Sequence, residues 1–99
     1  NAIGFTNISR VASKMEEKIT AYCFVKLSHQ KLDSFLSQIK DLPQVKEYIV
    51  LTGEFDGVLK IQVNEMNQIY ELFQHIDTID GIEATTTHVQ MKKFEFERD

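Results

Sequence analysis

Ile19-Thr20-Ala21-Tyr22-Cys23-Phe24-Val25-Lys26-Leu27 is the stretch on which the fold turns. In an extended chain Ile19, Ala21, Cys23, Val25 and Leu27 share one face, while Tyr22 and Phe24 share the other. Both faces are therefore largely apolar, and the β-branched and aromatic content suits a strand covered on both sides. At Ser28, a residue type that caps helices, the period changes. Leu32, Phe35, Leu36 and Ile39 follow at helical spacing, and Leu42-Pro43 ends the run, which predicts an amphipathic helix of about three turns.

Val45 to Thr52 returns to strand character, Gly53-Glu54-Phe55-Asp56-Gly57 forms a turn, and Val58 to Val63 forms a third strand, the pattern of a hairpin. Asn64 offers a second N-cap ahead of a stripe made by Met66, Ile69, Tyr70, Phe73 and Ile76, which stops before Asp80-Gly81. Ile82 to Met91 is the last strand. Leu32, Phe35, Leu36, Ile39, Leu42 and Val45 recur 37 positions later as Ile69, Leu72, Phe73, Ile76, Ile79 and Ile82. A duplicated βαβ unit with right-handed crossovers predicts an α+β, ferredoxin-like β-α-β-β-α-β sandwich, with both helices on one face of an antiparallel sheet.

That leaves one apolar sheet face without a helix. Its simplest cover is a second copy of the chain, a two-fold dimer of the dimeric αβ barrel type. Residues 1–17 stand outside the sandwich, and Ile8, Val11, Ala12 and Met15 predict a helical arm there behind a Thr6 or Asn7 cap, with a linker or partly ordered tail as the alternative. Residues 18–99 form the domain, in which Phe94 and Phe96 alternate with charges and extend the last strand or lie across a neighbour. The chain opens on Asn1 rather than Met, which is compatible with a piece of a longer protein.

Composition narrows the functional classes. A chain of 99 residues has room for one core. Eleven basic against 15 acidic side chains, a net charge of -4, disfavour both a nucleic-acid backbone and an anionic membrane as partner. A single cysteine cannot form an intrachain disulfide and fits a reducing, cytoplasmic setting. No stretch has the length of a membrane span, and no basic-then-apolar leader is present. Phosphate-cradling loops, nucleophile elbows and metal-binding Cys or His motifs are absent as well, so neither a cofactor nor a metal is expected. Glu71 and His75 lie at i, i+4 without an evident third ligand, and read as a solvated helix face. Cys23 reads as a small buried hydrophobe.

Two segments have the chemistry to hold a small molecule. An α-amino acid requires an acceptor for its ammonium group and donors for its carboxylate. Asp56, between glycines whose backbone a ligand can approach closely, offers both within one loop. The same residues equally suit an ordinary turn in which Asp56 bonds its own backbone. Thr85 and Thr87 point to one side of the last strand and Thr86 to the other, and their hydroxyls suit polar recognition, although threonine is also a good strand residue.

The run Tyr48-Ile49-Val50-Leu51-Thr52-Gly53-Glu54-Phe55-Asp56, followed by strand, helix and Gly81-Ile82-Glu83-Ala84-Thr85-Thr86-Thr87, resembles the C-terminal effector domain of Lrp/AsnC transcriptional regulators, the RAM domain. The resemblance covers about residues 18 to 97 and rests on the G-x-x-D turn (Gly53, Asp56) and the T-x-T strand start (Thr85, Thr87). It implies dimerisation through the sheet, association of dimers into a ring, and an amino-acid effector bound where dimers meet. The matching positions are Thr52, Gly53, Asp56, Thr85 and Thr87. Gly57 departs from the family pattern, in which an apolar residue follows the aspartate. The resemblance also implies helices for DNA binding ahead of the domain, and this chain does not contain them. Stand-alone RAM proteins bind effectors or join full-length relatives.

These readings predict a sensor acting through its assembly state. The alternative is a small cofactor-independent enzyme on the same dimeric fold, with His88, the one strand histidine, as its candidate base. A purely structural assembly domain is the third reading.

Overall fold

The computed structural model describes residues 19–98. The expected N-terminal arm lies outside the described residues. Strands β1 (Ile19–Leu27), β2 (Val45–Val50), β3 (Gly57–Val63) and β4 (Ile82–Val89) form one antiparallel sheet in the order β2-β3-β1-β4. Helix α1 (Leu32–Ile39), entered through a 3-10 turn at His29–Lys31, joins β1 to β2, and helix α2 (Met66–Asp77) joins β3 to β4. This is the expected β-α-β-β-α-β sandwich.

Strand parity decides what is buried. Ala21, Cys23 and Val25 on β1 are fully buried. They pair with Ile61, Leu59 and Gly57 on one side and with Val89, Thr87 and Thr85 on the other. Phe35 and Ile39 of α1, and Ile69, Leu72 and Ile76 of α2, close over this face to make one core. Neither described helix covers the opposite face, where Tyr22 and Phe24 are half-buried and Ile49 is exposed. Phe24 there packs against Phe55 and His88, with ring centroids 5.8 and 5.9 Å apart.

Two helix starts differ from expectation. Ser28 precedes the 3-10 turn and makes no side-chain cap, so the α-helix proper begins at Leu32. Glu65 rather than Asn64 is the N-cap of α2, because the Gln68 side chain turns back and accepts the N–H groups of both Asn64 and Glu65, at 2.8 and 3.0 Å. A reciprocal cap of this kind supplies two otherwise unpaired donors with an acceptor.

Phe35 is fully buried and meets Tyr48 edge to face at 5.1 Å. Phe35→Ala is expected to lower the unfolding free energy by about 3–5 kcal/mol in urea titration. Gln74→Ala, on the exposed face of α2, is expected to change it by less than about 0.5 kcal/mol.

Candidate functional site

One end of the sheet gathers the loops that follow β1, β2 and α2. Strand β1 meets Gly57 of β3 through Val25, and at that point the β1–β3 ladder stops. Asp56, one residue earlier in the chain, carries it further. Its backbone N–H donates to the Val25 carbonyl at 2.8 Å, and its carboxylate Oδ2 accepts the Leu27 N–H at 2.7 Å. Its own carbonyl accepts the Leu51 N–H at 2.9 Å, closing the β2–β3 loop. A carboxylate accepting a backbone N–H makes a strong, short bond, so the side chain is fixed in place.

The second carboxylate oxygen is differently placed. Oδ1 lies 3.9 Å from His29 Nε2, too far for a hydrogen bond, and the His29 side chain is almost wholly exposed. Asp56 lines a small cavity of about 70 Å³ together with Leu27, His29, Leu32, Tyr48, Val50 and Leu51. Four of these seven side chains are aliphatic. Burial and the negative charge of Asp56 both push the Tyr48 phenol above its ordinary value of 10.0.

The loop glycines have different roles. Gly53 has φ of +110° with open space around it, so the backbone conformation is what selects glycine there. Gly57 is ordinary strand, yet a Cβ at that position would overlap the hydroxyl and ring of Tyr48. Glycine at 57 makes room for that ring to lie across the sheet. Thr52 and Gly53 are exposed on the loop beside Asp56.

Thr85 and Thr87 lie across β1 from the loop. Thr85 pairs with Val25, the same residue that pairs with Gly57, so one strand separates the two sites. The Thr85 hydroxyl donates to Asp77 Oδ1 of α2 at 2.9 Å. The Thr87 hydroxyl is buried beside the Cys23 thiol, which it meets too loosely for a full hydrogen bond. Burial pushes the Cys23 thiol up, the Thr87 hydroxyl draws it partly back, and the charge of Asp77 raises it slightly. The expected site residues thus fall into two groups flanking Val25. Sequence reasoning missed Tyr48, His29 and Asp77. The first two approach Asp56 only once β1, β2 and the β1–α1 turn are assembled, and Asp77 meets Thr85 across the α2–β4 connection.

Around this end, Ser28 N–H donates to the Gly81 carbonyl at 2.9 Å, and Lys31 pairs with Asp80 at 2.9 Å. The lysine's hydrogen bond and charge hold the Asp80 carboxyl below the usual range. Among the described residues, no group of three His, Cys, Asp or Glu side chains is placed to hold a metal ion, and no helix is long and apolar enough to cross a membrane.

The fold and this loop-built end define a small ligand-binding domain. The family model of the Lrp/AsnC ligand binding domain matches residues 20–98, and the chain belongs to that family. The HTH-type transcriptional regulator FL11 of Pyrococcus furiosus is 26% identical over 74 residues, which are 75% of this chain and 49% of that protein. A homocitrate synthase of Sulfurisphaera tokodaii is 26% identical over 81 residues, 81% of this chain and 18% of the enzyme. The chain therefore spans about half the length of the first relative and under a fifth of the second. The structure of AsnC from Escherichia coli superposes with a TM-score of 0.76 at 20% identity, covering 88% of this chain and 60% of that one. A complex of the transcriptional regulator NMB0573 with L-Met, from Neisseria meningitidis, gives 0.76 at 17% identity, covering 85% and 56%. At these identities the superpositions establish the shared fold.

The shifts at Cys23 and Tyr48 set an alkaline limit on stability. Both groups hold their protons more tightly folded than unfolded, so what they contribute is complete below their ordinary values of 9.0 and 10.0 and is lost as pH rises through the raised folded values. The melting temperature is expected to begin falling above about pH 9, with a shallower fall in Tyr48→Phe. In the native protein Cys23, fully buried, is expected to resist a thiol reagent that modifies it rapidly in urea.

Proposed function

We propose that this domain binds an α-amino acid at the Asp56 end of the sheet and reports it through a change in assembly. The observation that carries the reading is the divided carboxylate of Asp56, a residue lining an aliphatic-walled cavity, whose Oδ2 is tied to the Leu27 N–H while Oδ1 has no hydrogen bond among the described residues. An ammonium group supplies the missing donors. Thr52 and Gly53 lie exposed on the loop beside Asp56, and the Thr85 hydroxyl can still accept a hydrogen bond while it donates to Asp77. Thr87 is buried on the far side of β1, next to Cys23, and in this reading has a packing role. The bound L-Met in the Neisseria relative supports an amino acid as the ligand class.

The open sheet face supports a dimer. Tyr22, Phe24 and Ile49 form an apolar band there, bordered by Lys26, Glu47 and Lys60, and a second copy is the cover we propose. Association of dimers into rings, or with full-length regulators of the family, would place the loop end of one dimer against another. Ligand affinity then biases assembly by the difference in its binding to the two states. In this reading the domain serves transcriptional regulation in the cytoplasm, alongside DNA-binding relatives such as FL11.

The enzyme reading has less support. His88 is exposed on the edge strand β4 and meets Phe24 edge to face, on the face away from the Asp56 cavity. Among the described residues it has no buried carboxylate partner to make it a base.

Calorimetry across the amino acids, combined with sedimentation, tests the proposal. At least one amino acid is expected to bind and to change the sedimentation coefficient. Asp56→Asn is expected to weaken binding by tenfold or more, about 1.4 kcal/mol. If no amino acid binds and assembly stays constant, the sensor reading fails and the structural-assembly reading stands.

A further inference from the structure

We propose that Tyr48, lying in the space left by Gly57, is a specificity-determining residue of the Asp56 cavity, and that its hydroxyl receives the carboxylate of a small aliphatic amino acid. The inference rests on the amino-acid reading above and deepens it.

Asp56 alone recognises half of a zwitterion. Its free oxygen can accept from an ammonium group, but a ligand carboxylate placed near Asp56 is repelled unless a donor stands beside it. Tyr48 and Asp56 line the same cavity. Among the described residues the Tyr48 hydroxyl makes no hydrogen bond, so its proton is available. A phenol is protonated at neutral pH in any case, and burial and the Asp56 charge extend that range upward. Among the side chains lining the cavity His29 is the other donor, but it is exposed, whereas the Tyr48 ring is braced on Phe35 at 5.1 Å. A fixed donor loses less freedom on binding than a mobile one.

Gly57 is what allows this placement. The ring crosses the sheet where any Cβ at 57 would stand, so a larger residue at 57 must displace Tyr48 from the cavity. The remaining walls, Leu27, Leu32, Val50 and Leu51, suit an aliphatic side chain. A volume of about 70 Å³ is far below the usual range for sites that enclose whole ligands. We take it to receive the head group and a short side chain more readily than an aromatic one.

The test is calorimetry with glycine, alanine, valine, leucine and phenylalanine on the wild-type chain, Tyr48→Phe, Gly57→Ala and Asp56→Asn, each first checked for folding by thermal melt. The wild-type chain is expected to prefer alanine or valine to phenylalanine. Tyr48→Phe keeps the ring and is expected to lose about tenfold in affinity, the effect of one hydrogen bond to a charged group. It should also lose the tyrosine ultraviolet difference signal that accompanies binding. Gly57→Ala, if folded, is expected to weaken binding similarly, and if it fails to fold Tyr48→Phe decides. Wild-type-like affinity and an unchanged difference signal in Tyr48→Phe overturn this inference while leaving the amino-acid reading intact, provided Asp56→Asn is impaired. Binding that survives Asp56→Asn, or no binding by the wild-type chain, overturns both.

Discussion

The Leu27 N–H to Asp56 carboxylate bond is the contact on which the loop end of this domain, its candidate site, depends. Strand β1 is the centre of the sheet, bonded on both edges, and its last residues run past the point where β3 can serve them. Asp56 continues the ladder with a side chain in place of a strand, its N–H reaching Val25 and its carboxylate serving Leu27. Leu27 is buried, and an unpaired backbone donor at such a place costs about 1–3 kcal/mol. One oxygen of Asp56 is committed to the fold and the other is left over. The turn reading of this aspartate and the ligand reading are therefore compatible, since the first orients the group that the second uses.

The same economy separates the two sides of β1. On the loop side, Gly57 has no side chain, so the Tyr48 ring and hydroxyl lie over it, lining the same cavity as Asp56. On the other side, Thr85 is bonded to Asp77 and Thr87 is packed on Cys23, so the polar groups there tie α2 to the sheet. Val25 separates the two, with no side-chain hydrogen-bonding capacity to relay between them. Coupling between these groups, if a ligand engages both, must pass through movement of the α2–β4 connection, which the Ser28–Gly81 and Lys31–Asp80 contacts hold against the β1–α1 turn.

Much of the fold was legible in the sequence, because strand parity and helical spacing are local. Alternation from Ile19 to Leu27 sorted the residues into the two faces that the sheet shows, though it did not say which face the helices cover, and the switches between strand and helix spacing set the element order, which the 37-residue echo between halves supports. The exact helix starts were not legible: capping of α2 depends on Gln68 folding back to Glu65, which competes with Asn64 at nearly equal sequence merit. The site was legible as a pair of motifs but not as a geometry. That Gly57 serves Tyr48 is a contact across a hairpin, invisible until the register of β2 against β3 is known. The engagement of Thr85 by Asp77 likewise follows from where α2 ends relative to β4. Family membership, by contrast, followed from the two motifs held in register within that element order, and the match over residues 20–98 bears it out.

The central claim is that ligand is received on the loop side of β1, at the free oxygen of Asp56. Backbone amide chemical shifts of the ¹⁵N-labelled chain, followed during titration with an amino acid that binds, test it most directly. The account predicts the largest changes at Leu27, Tyr48, Asp56 and Gly57, with smaller ones at Thr85 and Thr87. Changes confined to β4 and α2, with the Leu27 and Asp56 amides unmoved, would contradict it.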